Sequence, residues 1–325
     1  MILEAYKTLE EKEHNRFDNY KRINTAKEFD TWLEYVNTNN KNGEIVFRGI
    51  CEAKYKNYTS AQREYIVRDL ESVGVKLDNL IQKQIDSIRD GNKRLIKKYY
   101  ESLGMSQNDL LYLSIAQHYG GISPLLDFSE DVKIALFFMT ENVLLPTAGD
   151  DDINNYSSIY IYRHTTQKCV NYMDLIEDTK QQIQERLDTI KTKTAKMGEI
   201  QDLDPVKELA DFNLLKRINV PMLIPNEKRK VKLYFGKNTA EGTLSISNLN
   251  IVAQKGCFMF HYDENEPLKP LEKGIECVDI HKSLMPYIKK ETLKRTTIES
   301  IYPKEFDIVR NSLQEALSEV VKAEL

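Results

Sequence analysis

A chain of 325 residues, 41% of them hydrophobic and 30% charged, has the balance of a folded globular protein and is long enough for one large domain or two ordinary ones. Its 46 basic against 50 acidic residues leave a net charge of −4, which argues against a general polyphosphate-binding surface but allows a local basic site. No stretch approaches the roughly 20 apolar residues that span a bilayer, and the charged run from Glu10 to Arg16 leaves no signal peptide visible, so a cytoplasmic protein without membrane contact is expected.

In chain order, residues 1–43 read as an N-terminal helical segment. Thr25 is a candidate N-cap with Glu28 three residues on, and Phe29, Trp32, Leu33 and Val36 follow at helical spacing. The Asn-rich turn 37–43 stops this helix, and Ile45-Val46-Phe47-Arg48 then reads as a short strand ended by Gly49. Residues from about Ser60 to Leu103 are mostly helical and polar. A further helix opens near Ser106–Asp109, runs towards His118 and is terminated by Gly120-Gly121. Ser123-Pro124 leads into Leu125-Leu126-Asp127-Phe128-Ser129, after which Asp131 begins a strongly apolar helix through Met139. Asn142 to Asn155 reads as a surface loop, and Ser158 to Tyr162 as a strand from its β-branched and aromatic content. A polar helical stretch from about Asn171 to Lys196 reads as an insertion, followed by a short helix over Pro205–Leu215. The last third alternates strands, at Val231–Phe235, Cys257–His261 and Ile275–Ile280, with turns, and closes on a helix from about Lys304.

Cys51, Cys169, Cys257 and Cys277 form no CxxC pair, and His118, His164 and His261 show no helical ligand spacing, so free thiols and no metal site are expected.

Five separated blocks resemble the FRG-domain family, named for a Phe-Arg-Gly motif. They are Phe47-Arg48-Gly49; Ala116-Gln117-His118-Tyr119-Gly120 followed by Leu125-Leu126-Asp127-Phe128-Ser129; Ala135-Leu136-Phe137-Phe138; Asn248-Leu249-Asn250 followed by Gln254-Lys255-Gly256-Cys257-Phe258; and Ile301-Tyr302-Pro303. The second is the most specific. The chain departs from the family's usual pattern in having Phe128-Ser129 where an aromatic with Thr is common, and Asn250 where an Arg precedes the Gln-x-Gly block. The resemblance implies one FRG-like domain over about 44–310, with the polar insertion near 165–200 and a C-terminal helix end at 311–325. Family members occur in bacteria and phages, some beside defence or toxin–antitoxin genes, so an effector in such conflict is implied.

The site chemistry follows from residue types. Arg48 at a strand end can hold a phosphate bidentately, and Gly49 would let a ligand approach the backbone. This resembles the first-strand arginine of arginine-type ADP-ribosyltransferases, which contacts NAD; Ser129 then falls in the middle position and Gln254 near the third, where those enzymes carry an acidic residue. A glutamine can orient a ribose hydroxyl but is no carboxylate. Arg48, Ser129 and Gln254 are accordingly the candidate catalytic residues, and Arg48, Gly49, His118, Tyr119 and Asp127 the candidate NAD-binding ones.

Each has a structural alternative. Arg48 can pair with Asp127; His118 can cap a helix C-terminus; Ser129 and Asp131 can cap the helix that follows; Gln254 can satisfy buried backbone groups. The basic cluster Lys228-Arg229-Lys230 with Lys232 reads as a nucleic-acid contact or a guarded strand edge. The expected fold is α/β (α+β), a small split or curved sheet with peripheral helices, similar to an ADP-ribosyltransferase. The expected function is NAD-dependent transfer to a protein or nucleic-acid acceptor. A non-catalytic ligand sensor or protein-interaction module, and a nucleic-acid-acting defence protein, are the alternatives.

Overall fold

The computed structural model of the protein describes residues 2–15, 17, 19–40, 45–90, 109–144, 146, 152–163, 253–261, 266–267, 275–294 and 296–302, with short pieces at 169–171, 181, 184–185, 188, 222–225 and 250. The expected helices at 205–215 and from 304, the strand at 231–235 and the basic cluster 228–232 lie outside the described residues.

Helix α1 spans Leu9–Glu13 and strand β1 Asn19–Ile23. Helix α2, Ala26–Asn39, starts on the capping box foreseen at Thr25 and Glu28, and buries Phe29, Trp32 and Val36 on one stripe. Strand β2 covers Ile45–Ile50, two residues longer than its hydrophobic run suggested. Helix α3, Ser60–Val67, has a second capping box, Thr59 with Gln62. Helix α4 runs over Leu77–Asp90, α5 over Asp109–Tyr119, and strand β3 over Leu125–Ser129. Helix α6, Val132–Thr140, is capped by Asp131, whose carboxylate accepts from the Lys133 N–H. Strand β4, Tyr156–Arg163, follows a 3-10 turn. Strands β5 (Cys169–Asn171), β6 (Met222–Pro225), β7 (Gly256–Phe260) and β8 (Ile275–His281) precede the short helices α7 (Met285–Glu291) and α8 (Ile298–Ile301).

The eight strands make one mixed sheet in the order β1-β8-β4-β2-β3-β7-β6-β5, larger than the small sheet expected. Six strands of it curl into a half-barrel with helices around it. The central pairings β8–β4, β4–β2, β2–β3 and β3–β7 are antiparallel, while β1–β8 and β7–β6 are parallel.

Strand β1 corrects the reading of the N-terminal segment as helical. Asn-Tyr-Lys-Arg-Ile carries one fully buried apolar residue, Ile23, and its strand character comes from pairing with β8 over Asn19↔Glu276 to Ile23↔Ile280. Local periodicity carries no trace of a partner more than two hundred residues away in sequence. Of the expected polar helical stretch from about Asn171 to Lys196, Asn171 ends strand β5 instead, while Gln181, Gln184, Glu185 and Asp188 are helical.

Strand alternation sorts the core into two faces. Ile45, Phe47, Ile159, Ile161, Val278 and Ile280 pack with α2, α6 and α7. Val46, Leu126, Phe128, Tyr160, Tyr162 and Cys277 point the other way. Arg48 shares this second face, two residues after Val46 and directly opposite Tyr160 on β4. Gly49 faces α6: a Cβ there would lie 1.8 Å from the Ala135 carbonyl oxygen and 2.9 Å from the Met139 nitrogen. The glycine of the Phe-Arg-Gly motif is thus where a helix lies directly on a strand backbone.

Candidate functional site

Where β2, β3 and the end of α5 meet, a cleft of about 670 Å³ opens, within the usual range for small-molecule sites of roughly 300–1,000 Å³. Its wall includes Arg48, Asp127, Ser129, His118 and Gln254, so all of these sequence-derived candidates stand around one space, and the Gly49 backbone joins them. Tyr119 does not line it: each helical residue turns about 100°, so Gln117 and His118 reach the cleft and Tyr119 is carried past it.

Arg48 is half-buried. Its Nε donates to Asn57 Oδ1 at 3.2 Å and its Nη1 to the main-chain carbonyl of Asp127 at 2.9 Å. The expected pairing with Asp127 is therefore made through the backbone, not the carboxylate. Burial lowers the Arg48 pKa and the nearby Asp127 charge partly offsets this, but a guanidinium stays protonated at any ordinary pH. Its remaining N–H groups are not used by any described residue.

Asp127 occupies the middle of β3. Its Oδ2 accepts from Gln117 Nε2 at 2.5 Å, whereas its Oδ1 is buried without a hydrogen-bond partner among the described residues. Gln117 Oε1 and His118 Nε2 are likewise buried and unpartnered. Burial pulls the His118 pKa down, with Asp127 acting the other way, so the imidazole is neutral near pH 7. Its ring meets Phe258 edge-on at 5.5 Å. The helix-capping alternative for His118 needs a charged ring at the helix end; here Gly120, at φ +84°, makes the turn and the Gly121 N–H closes it on the Ala116 carbonyl at 2.7 Å.

Ser129 and Gln254 look inward to the fold. The Ser129 hydroxyl donates to the Gln254 carbonyl at 2.7 Å and accepts from the Asp131 N–H at 3.0 Å. Gln254 Nε2 donates to the Ile301 carbonyl at 3.4 Å. These contacts hold the start of α6, the turn before β7 and the end of α8 together. They match the structural alternatives for both residues, although Asp131 rather than Ser129 is the helix cap.

Sequence reasoning missed several residues on the wall. Arg63, one turn into α3, adds a second guanidinium; its Nη1 donates to the Tyr58 carbonyl at 3.1 Å and it senses the Asp127 charge. Nothing in Gln62-Arg63-Glu64 separates it from any exposed helical arginine. Lys56 lies on the rim and pairs with Glu4 at 2.9 Å, and Leu3 and Glu4 bring the N-terminal segment to the cleft mouth. Tyr55, Tyr58, Phe138 and Tyr302 supply apolar and aromatic surface. Among the described residues no group of three or more His, Cys, Asp or Glu is placed to hold a metal ion, and no helix is long and apolar enough to cross a membrane.

The cleft thus belongs to a mixed α/β domain in which a strand arginine and a helix-end glutamine both bond to Asp127 of β3. A family model described as the FRG domain matches residues 43–147: the chain carries an FRG domain there. That span holds Arg48, Asn57, Arg63, Gln117, His118, Asp127 and Ser129, and ends before Gln254 and Tyr302. No curated protein and no solved structure matches the chain.

Proposed function

We propose that the cleft binds a phosphate-bearing nucleotide, with NAD as the leading candidate, and that the protein is an ADP-ribosyltransferase-like effector in bacterial or phage defence or toxin–antitoxin conflict. The observation that carries the binding half is the set of three buried polar atoms, Asp127 Oδ1, Gln117 Oε1 and His118 Nε2, left without partners among the described residues on a wall shared with a guanidinium. Buried polar groups are paired as a rule, and leaving one unpaired costs about 1–3 kcal/mol. A group of them on one cleft wall is reasonable where a ligand supplies the missing bonds. Arg48 and Arg63 offer the charge that phosphate oxygens require. The effector role rests on the FRG resemblance alone.

A second reading, a ligand sensor without chemistry, is favoured by Ser129 and Gln254. A hydroxyl already donated to a main-chain carbonyl is a poor nucleophile, and a glutamine tied to Ile301 supplies no carboxylate. Asp127 is the carboxylate that a transferase would use.

Two measurements separate these readings. Calorimetric titration with NAD, ADP-ribose and AMP should give heat with wild type and little with Arg48→Ala; no heat with any of the three would remove the nucleotide reading. Incubation with labelled NAD and protein, DNA or RNA acceptors should release nicotinamide from a transferase, while binding without release would identify the sensor.

A further inference from the structure

We propose that Asp127 and Gln117 form a reader for the vicinal hydroxyls of a ribose, so that the cleft's ligand class is a ribose 5′-phosphate ester rather than a deoxyribose or a bare polyphosphate. This rests on the nucleotide reading and adds to it which part of the nucleotide the polar floor recognises.

The orientation of the Gln117 amide is fixed by its neighbour. A carboxylate only accepts, so the amide NH2 must face Asp127 Oδ2 and Oε1 must be the free end. The pair therefore holds two buried acceptors, Asp127 Oδ1 and Gln117 Oε1, without partners among the described residues, on side chains joined by a hydrogen bond. A ligand that satisfies both must bring two donors. Phosphate oxygens at neutral pH are acceptors and would be repelled by the carboxylate. A ribose diol carries two O–H donors on adjacent carbons, and a carboxylate facing such a diol is a recurring arrangement in nucleotide sites.

An amino group on a base also offers two donors. Arg48 Nη1 is bonded to the main-chain carbonyl of Asp127, which brings the cation that would hold a phosphate to the strand that carries the acceptor pair. An analogue that lacks only the sugar hydroxyls keeps the base amino group, so it separates the two.

The test compares ADP with 2′,3′-dideoxy-ADP by calorimetry on wild type, Asp127→Asn and Arg48→Ala, with inorganic pyrophosphate as a phosphate-only probe. Wild type should bind ADP roughly tenfold or more tightly than the dideoxy analogue, because the analogue leaves two buried acceptors unpaired. Asp127→Asn, which turns one acceptor position into a possible donor, should bring that ratio close to one while pyrophosphate binding persists. Arg48→Ala should lose pyrophosphate. Equal affinity of wild type for ADP and its dideoxy analogue would overturn the ribose assignment and leave the nucleotide reading intact. A ratio that survives in Asp127→Asn would place the diol elsewhere and also overturn it. Failure of wild type to bind either nucleotide would overturn both. The wild-type comparison needs no variant to fold.

Discussion

The sheet carries two polar clusters, and they differ in one respect. Around Asp279 on β8 every group is matched. Lys12, fully buried, donates from Nζ to Asp279 Oδ1 at 2.6 Å, to Ser158 Oγ at 2.6 Å and to the Ala53 carbonyl at 2.9 Å. Tyr20 donates to Asp279 Oδ2 at 2.7 Å, and Ser158 Oγ lies 2.6 Å from Oδ1. Around Asp127 on β3, three buried polar atoms have no such match among the described residues. Both clusters hold one carboxylate and a cation close by. The first is closed upon itself and joins α1 to the sheet; the second is open towards a cleft. Satisfaction of hydrogen bonds, more than residue type, distinguishes a structural ion pair from a binding site.

The largest expected effect tests the closed cluster. Lys12→Ala leaves Asp279 buried without its cation and should cost about 3–5 kcal/mol in urea unfolding. A loss below 1 kcal/mol would mean that the two clusters are not different in kind. Burial pulls the Lys12 pKa down, but the neighbouring acidic groups Cys277 and Asp279 outweigh it and the net shift is upward, so this contribution should persist across the neutral range.

Ser129→Ala comes next. It removes the donor to the Gln254 carbonyl and the acceptor for the Asp131 N–H, and should cost about 1–2 kcal/mol in the same unfolding measurement. Nucleotide affinity should change little. A loss of affinity with stability unchanged would return Ser129 to a functional role.

His118 gives a pH signature. Its native pKa is lowered by burial, while an unfolded histidine titrates near about 6.5. Above that pH both states are neutral and the residue adds no pH dependence. As pH falls through the unfolded value, only the unfolded chain takes the proton, so the native state loses stability. His118→Gln should make the decline from about pH 7 to 5 shallower. Identical slopes in urea midpoints for variant and wild type would show that the ring protonates freely in the native state.

The smallest stability effect is expected at Arg48. Its two hydrogen bonds are offset by the burial of its charge, so Arg48→Ala should stay within about 1 kcal/mol of wild type. Yet it should abolish the thermal stabilisation that nucleotide gives wild type, about 2.7 kcal/mol near a hundredfold excess over the dissociation constant. A large intrinsic loss would make Arg48 a second Lys12 and erase the contrast.

Sequence revealed the parts of the molecule whose causes are local. The Thr25–Glu28 capping box, the apolar helix after Asp131, and the strands at 156–163, 256–260 and 275–281 carry their signals within a few residues. Strand β1 was hidden because its stability lies in β8. At the cleft, polar residues set in apolar runs, Arg48 and Asp127, were visible because burial of polarity is itself a signal. Arg63, Asn57 and Lys56 gave none, since each sits in a polar stretch that looks like any surface. Lys12 was missed for the same reason: within Glu10-Glu11-Lys12-Glu13 it reads as a solvated charge, yet it is fully buried. Gly49 was noticed, but the direction of its missing Cβ, into α6, belongs to the tertiary structure.

The cleft mouth is built from distant stretches of chain: Leu3 and Glu4, the FRG domain between residues 43 and 147, Gln254, and Tyr302. A ribosome delivers these in order, and domains form as their residues emerge. Arg48 and Asp127 leave the exit tunnel long before Gln254 and Tyr302 exist. Strand β8, which bonds to both β1 and β4, also comes late. The nascent FRG segment therefore carries its key side chains without a finished cleft, and any activity of the cleft begins only after nearly the whole described chain has been made.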